Sequence, residues 1–304
     1  MTLVLQQILV IFCYVAVGVG AGKLGIIDPD QRKYLTKLCS SLILPFTILS
    51  AASMELGAES FCSLGIALGV MFLVFGLTLA GSLTLLRVFH AEDKFRAAIC
   101  SLIAFPNCTF LGLPLCQALF GEIAVLYNCA ALIAFNVLFF TVQLPLFTGG
   151  KIHLKAILTV PTGAIFGLLA MLVLGIHWPA PVQTVVSSVG GMITPLSLII
   201  IGVMLSENDL LSIFRERAVY LVMALRNFLI PALAMLLLTV VPMAGADKLC
   251  VLVYLACPCA TLTTIYSIQT DTYPELCARS VLFSTLCFAV SLPLIIALGQ
   301  IILQ

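Results

Sequence analysis

The apolar run of residues 97–121 is interrupted near its middle by Phe105-Pro106-Asn107-Cys108-Thr109. A second apolar run, residues 249–270, is interrupted in the same way by Ala256-Cys257-Pro258-Cys259-Ala260-Thr261. A proline inside a helix removes a backbone hydrogen bond, and its ring clashes with the carbonyl of the preceding turn. In lipid the freed carbonyls cannot stay unpaired, so such a break must face protein or a water-filled cavity. The sequence therefore predicts two broken membrane helices whose interruptions face each other.

The composition of the whole chain supports a membrane protein. Of its 304 residues, 62% are hydrophobic and 9% are charged, whereas a soluble domain is about half apolar and about a quarter charged. The shortage of charges and the formal net charge of +1 exclude a disordered chain and a nucleic-acid-binding protein. The 12 cysteines are scattered along apolar stretches, where cysteine behaves as a small hydrophobic residue, so no disulfide framework is expected.

Ten transmembrane helices are predicted from the stretches that lack Asp, Glu, Lys and Arg, because a spanning helix needs about 20 apolar residues. Eight of these stretches hold one helix each, and the 51-residue stretch 156–206 breaks at His177-Trp178-Pro179-Ala180-Pro181 and holds two. Residues 1–22 lack a basic leading region and are interpreted as helix 1, not as a signal peptide. The stretches are residues 1–22, 38–54, 60–86, 97–121, 123–150, 156–206, 227–246, 249–270 and 280–304.

The loops between these helices differ in basic residues, which predicts the orientation. The loops on one side carry twelve basic residues, and those on the other side carry Lys248 alone. Both termini are therefore expected to be extracytoplasmic. The twelve are Lys23, Arg32, Lys33, Lys37, Arg87, Lys94, Arg96, Lys151, Lys155, Arg215, Arg217 and Arg279.

An internal repeat relates the two halves of the chain. Residues 129–147 and 277–295 are identical at nine of 19 positions without a gap, and similar offsets align Pro45 with Pro195 and Pro106 with Pro258. The repeat divides the chain into residues 1–150 and 151–304, with five helices each. Because five is odd, the second copy enters the membrane from the opposite side. Such an inverted repeat is typical of secondary transporters, whose binding sites lie on broken helices near the membrane midplane.

The two breaks predict a site for an anion. Each second half-helix begins inside the membrane with free N–H groups and a positive dipole end, and Asn107 adds an amide. The alternative is a pair of structural kinks relieved by neighbouring Ser and Thr. The candidate binding residues on the broken helices are Pro106, Asn107, Thr109, Pro258, Cys259 and Thr261. Those on helices 2 and 7 are Pro45, Thr47, Pro195 and Ser197, and Asn136 on helix 5 either lines the cavity or packs in the core.

Arg226 lies about ten residues into helix 8, which begins before the charge-free stretch 227–246, and an intramembrane charge usually faces the protein interior. Its side chain either pairs with a substrate carboxylate or caps the carbonyls freed by the broken helices.

No Asp or Glu lies deep in any predicted span, which argues against a cation antiporter and favours transport without proton coupling. Neither a nucleophile–base pair nor a cofactor motif is evident, and Cys257 and Cys259 lack a second ligand pair. We therefore expect no enzyme activity, no cofactor and no metal site.

Three motifs resemble the auxin efflux carrier family, which includes plant PIN-type carriers and bacterial transporters of malonate and malate type. The resemblance covers essentially the whole chain. The motifs are Pro106-Asn107-Cys108-Thr109 with Gly112-Leu113-Pro114-Leu115 and Leu119-Phe120-Gly121-Glu122, then Pro274-Glu275-Leu276 with Leu292-Pro293-Leu294, and Pro195-Leu196-Ser197-Leu198-Ile199-Ile200-Ile201-Gly202.

The resemblance implies a scaffold of helices 1, 2, 6 and 7 and a mobile transport domain of helices 3–5 and 8–10. It also implies a homodimer, elevator-like alternating access and a role for Asn107 in holding the substrate carboxylate. Cys259 stands where PIN-type carriers have a glutamine, so one polar donor for an indole-acid substrate is missing. The short central loop near Thr148–His153 is more similar to prokaryotic members, which implies a bacterial inner membrane.

The sequence thus predicts an all-α polytopic membrane protein that transports small organic carboxylate anions, either an auxin-like monocarboxylate or a malonate-type dicarboxylate, by export or uniport. One alternative is a sodium-coupled organic anion symporter of bile-acid type. Another is a membrane sensor that binds a ligand without moving it. The expected partners are the anion, membrane lipid and a second copy of the chain.

Overall fold

The computed structural model describes residues 2–55, 57–150, 154–207 and 216–303, which fold into helices joined by short loops. The α-helices in chain order are α1 (Thr2–Lys23), α2 (Pro29–Leu38), α3 (Leu44–Ser50), α4 (Ala58–Val88), α5 (Asp93–Ala104), α6 (Leu113–Phe120), α7 (Ile123–Leu138), α8 (Leu144–Thr148), α9 (Val160–Leu174), α10 (Ala180–Gly191), α11 (Ile193–Ser206), α12 (Arg217–Ala224), α13 (Ile230–Thr239), α14 (Gly245–Ala256), α15 (Thr261–Gln269) and α16 (Pro274–Ile302). Short 3₁₀ turns cover Ala51–Ser53 and Leu154–Ile157.

Many of the described helices are apolar and long enough to cross a membrane. Six helical stretches among the described residues are long and apolar enough to cross a bilayer, and three shorter apolar helices accompany them. The all-helical fold is confirmed and fits a polytopic membrane protein, whereas the count of ten spans and the inverted relation of the halves stay predictions. The six are Pro29–Ser53, Glu59–Val88, Ile123–Thr148, Ala180–Ser206, Arg217–Thr239 and Pro274–Ile302, and the shorter ones are Leu9–Lys23, Cys108–Phe120 and Val160–Leu174.

In the part of the chain that the structure describes, four prolines are each preceded by a π-helical turn. In each case the proline is the second residue of the α-helix that follows the turn. A proline has no N–H and its ring collides with the carbonyl four residues earlier, so a wider turn gives the ring room. The pairs are Cys39–Ile43 with Pro45, Cys108–Gly112 with Pro114, Phe139–Gln143 with Pro145, and Leu225–Leu229 with Pro231.

The chain divides into two compact units, each built from segments of both halves of the sequence. Unit 1 comprises Met1–Leu64, Thr109–Cys129 and Leu158–Asp209, and unit 2 comprises Gly65–Cys108, Ala130–Ile157 and Leu210–Gln304. The predicted repeats, residues 1–150 and 151–304, and the assignment of scaffold and transport helices stay predictions. The proposed boundary at Lys151, together with His153 and the basic residues Lys151 and Arg215, lies outside the described residues.

Unit 1 is held by close helix contacts at small residues. Helix α1 packs along α11, with Gly18 against Gly202, and a side chain at Gly18 would overlap the carbonyl of Ile199. Helix α10 packs on α3, where Gly190 lies directly against the backbone of Thr47. Small residues let two backbones approach, which is how helices associate where lipid supplies no hydrophobic driving force.

Unit 2 has a core built around α14 and α16. Every residue from Leu249 to Ala256 on α14 is buried, and α16 contacts α12, α14 and α15. An aromatic cluster fills the neighbouring space, with ring centroids 5.0 to 6.4 Å apart. The cluster consists of Phe75, Phe105, Phe135, Phe139, Phe140 and Tyr266. It includes Phe105, the first extended residue after α5.

Candidate functional site

Both predicted breaks are present, and their extended backbones lie in unit 2. In predicted helix 4 (residues 97–121), α5 ends at Ala104 and helical geometry resumes at Cys108, with Phe105 extended at φ −107° and ψ 116°. In predicted helix 9 (residues 249–270), α14 ends at Ala256 and α15 begins at Thr261. The prolines that the sequence singled out, Pro106 and Pro258, lie inside these extended segments and are buried.

The two extended segments pair with each other as an antiparallel bridge between Pro106 and Cys259. The N–H of Asn107 donates to the carbonyl of Pro258 at 2.8 Å, and the N–H of Ala260 donates to the carbonyl of Phe105 at 2.9 Å. Because buried backbone groups need partners, the two breaks satisfy each other. The broken helices therefore cross at these residues.

The guanidinium of Arg226 caps the carbonyls at the ends of both first half-helices. Its Nε donates to the carbonyl of Cys257 at 2.8 Å, its Nη1 to that of Ile103 at 3.2 Å, and its Nη2 to that of Leu255. Arg226 is 0% exposed. The negative end of a helix dipole stabilises a cation, and Arg226 lies at two such ends. The sequence left two roles open for Arg226, pairing with a substrate carboxylate and capping freed carbonyls. Its hydrogen bonds to the three carbonyls are those of a cap.

Arg226 forms no ion pair with a carboxylate in the part of the chain that the structure describes. It is also the one charged residue among the buried described residues. The carbonyl dipoles around it stabilise its charge but do not cancel it. The crossing of the two broken helices therefore contains a buried positive charge, that of Arg226.

Small polar side chains hold the crossing to the rest of unit 2. Ser284 on α16 accepts a hydrogen bond at Oγ from the N–H of Cys259, 3.2 Å away, and its carbonyl accepts one from Nδ2 of Asn227 at 2.8 Å. The hydroxyls of Ser101 and Thr263 lie 2.7 Å apart and join α5 to α15. Sequence reasoning missed these four residues. The available signal was their polarity within apolar helices, where Ser, Thr and Asn bond across helices.

Asn107 differs from these residues because its side chain is left unused. It is 5% exposed, and among the described residues its side-chain amide makes no hydrogen bond. Thr261 begins α15, the second half of helix 9, and is half-buried. The thiol of Cys259 is fully buried. Of the predicted polar residues on the broken helices, Thr109 and Thr261 are half-buried, and Asn107 is nearly buried but keeps its side-chain amide free of hydrogen bonds within the described residues.

The structure does not gather all the predicted site residues. Pro106, Asn107, Pro258 and Cys259 come together at the crossing in unit 2, and Asn136 is buried on α7 in the same unit. Thr261 and Arg226 also lie in unit 2, whereas Pro45, Thr47, Thr109, Pro195 and Ser197 lie in unit 1.

The hydroxyls of Thr47 and Ser197 have local partners. Thr47 donates to the carbonyls of Ile43 at 3.0 Å and Gly190 at 2.8 Å, and Ser197 donates to that of Thr194 at 3.3 Å. The hydrogen bond to Gly190 joins α3 to α10, so Thr47 has a structural role. Among the described residues, no three His, Cys, Asp or Glu side chains gather to hold a metal ion.

The chain matches the model of a known protein family. The model of the family described as membrane transport protein matches residues 3–156 and residues 144–296, which together cover nearly the whole chain. No curated protein matches the chain.

Proposed function

The chain belongs to the membrane transport protein family, the auxin efflux carrier family that its motifs resemble, and from this membership we propose that it carries a small organic carboxylate anion across a membrane. Membership indicates a membrane transporter. The substrate class is our proposal. The single observation that carries it is a helix crossing with a buried positive charge and an unpaired amide, and with no buried carboxylate among the described residues.

The crossing suits a carboxylate for electrostatic reasons. The amide of Asn107 offers two N–H donors to the carboxylate oxygens. The N-terminus of α15, starting at Thr261, adds backbone N–H groups and a positive dipole end. Arg226 lowers the energy of an anion at this position through space, although its own hydrogen bonds go to carbonyls.

The proposed mechanism is elevator-like alternating access in which unit 2 carries the anion, driven by the anion gradient and the membrane potential. The support is the absence of a buried Asp or Glu from the described part of unit 2, where a proton carrier would lie. A negative cell interior favours export of a monovalent anion by about 2.3 kcal/mol at 100 mV. An inverted repeat, a homodimer, a bacterial inner membrane and extracytoplasmic termini complete the proposal.

The test is charge movement in proteoliposomes on a solid-supported membrane. Acetate, indole-3-acetate, malonate and malate are added in turn without a proton or sodium gradient, and we expect a saturable current for at least one. The variants Asn107→Ala and Asn107→Asp should lose this current, the first through lost hydrogen bonds and the second through repulsion of the anion. Gln183→Ala, which removes a half-buried side-chain amide on α10 in unit 1, is the matched control and should keep it.

Three other results would contradict the proposal. A current that requires a sodium gradient would favour the bile-acid-type symporter. Saturable binding without any flux, electrical or radiolabelled, would favour the sensor. An unchanged affinity in Asn107→Ala would move the carboxylate site away from the crossing.

A further inference from the structure

The buried charge of Arg226 has a consequence for how voltage acts on transport, and this inference rests on the proposed function. Arginine keeps its proton in proteins, and among the described residues no carboxylate neutralises Arg226. The hydrogen bonds to Cys257, Ile103 and Leu255 fix the guanidinium to both broken helices. The charge must therefore move wherever the crossing moves.

We propose that Arg226 gives the empty carrier a charge of +1 within the membrane, and that the transported anion is its counter-charge. A bound monocarboxylate then makes the loaded crossing neutral, whereas a bound dicarboxylate makes it −1. Voltage acts only on charge that is displaced across the field. With a monocarboxylate, the step that responds to voltage is thus the return of the empty carrier and not the loaded movement.

The other described charged residues of unit 2 do not change the charge of +1 assigned to the empty carrier. Arg279 is paired with Glu216 at 3.2 Å and Glu275 at 2.8 Å, and its side chain is 28% exposed. Arg96 pairs with Asp93, whose carboxylate is exposed. These groups lie at helix ends, where charges are solvated and screened. Arg226 alone combines full burial with the lack of a carboxylate partner in the described part of unit 2.

The experiment compares two modes of flux in the same proteoliposomes. Net efflux of a radiolabelled anion requires the empty carrier to return, whereas exchange against saturating unlabelled anion uses only the loaded carrier. Both are measured at several membrane potentials set with potassium and valinomycin. One charge crossing the full field at 100 mV corresponds to ~50-fold in an equilibrium, because it is about 2.3 kcal/mol.

For a transported monocarboxylate, indole-3-acetate or acetate, we expect net efflux to change several-fold with voltage while exchange stays within experimental error. For malonate, exchange itself should become voltage-dependent, because the loaded crossing then carries −1. This comparison uses the wild-type chain and does not depend on the folding of a variant.

Arg226→Gln tests the residue directly. Its amide retains part of the cap but not the charge, so exchange of a monocarboxylate should become voltage-dependent, while Arg226→Lys should restore the wild-type pattern. Arg279→Gln removes an arginine that has carboxylate partners and should leave exchange insensitive to voltage.

The outcomes separate this inference from the function on which it rests. If none of the anions shows a saturable flux in either mode, the proposed function and the inference both fall. If flux is present but monocarboxylate exchange by the wild type depends on voltage as strongly as net efflux does, the function stands and the inference is wrong.

Discussion

The backbone N–H of Asn107 donates a 2.8 Å hydrogen bond to the carbonyl of Pro258, although 151 positions separate the two residues in the sequence. Each proline break leaves backbone groups without helical partners, and each break supplies partners for the other. This backbone pairing fixes the crossing without using the side-chain amide of Asn107. The side chain is thereby left available for a ligand, which is why the proposed carboxylate site is centred on it.

We expect Arg226→Ala to destabilise the protein strongly. The change leaves the carbonyls of Cys257, Ile103 and Leu255 without this donor, and each buried unsatisfied group costs about 1–3 kcal/mol. The measurement is thermal unfolding in detergent, followed with a thiol-reactive fluorophore that reports exposure of buried cysteines such as Cys250. Arg279→Ala removes an arginine whose partners are partly solvated and should change the melting temperature little. Equal losses in the two variants would contradict the capping role.

A methyl group at Gly190 should disrupt the contact between α10 and α3. A Cβ there would lie 2.8 Å from Cα of Thr47, so one backbone must shift, and overpacking of this kind costs about 1–3 kcal/mol. The neighbour Gly191 has no heavy atom within 4 Å of its would-be Cβ. Gly191→Ala should therefore be neutral or slightly stabilising by the same unfolding assay, and similar effects at both positions would argue against the close approach.

The contact between α1 and α11 gives a parallel prediction. A Cβ at Gly18 would overlap the carbonyl of Ile199, whereas one at Gly20 meets nothing within 4 Å. Gly18→Ala should lower the melting temperature by several degrees, because two helix backbones must separate, and Gly20→Ala should not. Folded yield by size-exclusion chromatography provides the second readout. Tolerance of alanine at Gly18 would show that the helices are farther apart than described.

The hydroxyl pair of Ser101 and Thr263 should show energetic coupling. The two oxygens lie 2.7 Å apart in the buried space between α5 and α15. Ser101→Ala and Thr263→Val should each cost about 1 kcal/mol, because each leaves the other hydroxyl unpaired, while the double variant should cost less than the sum. A double-mutant cycle of unfolding free energies measures this difference. Strictly additive effects would mean that the pair contributes nothing to the joining of α5 and α15.

Local chemistry made much of this protein predictable from its sequence. The scarcity of charges required apolar helices, and Pro106 and Pro258 required breaks, because a proline cannot continue a helical hydrogen-bond ladder. The motifs around Asn107 were sufficient to indicate the family that the family model then confirmed. The π-helical turns before Pro45, Pro145 and Pro231 were not predicted, because a proline signals a defect without specifying which geometry relieves it.

The tertiary structure decided which groups satisfy one another. The sequence left Arg226 with two roles, and only the folded positions of three distant carbonyls assign its hydrogen bonds to the cap. The polarity of Ser284 within an apolar helix did not reveal its partner, because the N–H of Cys259 that its hydroxyl accepts from lies 25 residues away. Side-chain type and spacing determine what each helix is, since those effects act within a few residues. The pairing of one helix with another depends on contacts between residues far apart in the chain, which a single sequence does not record.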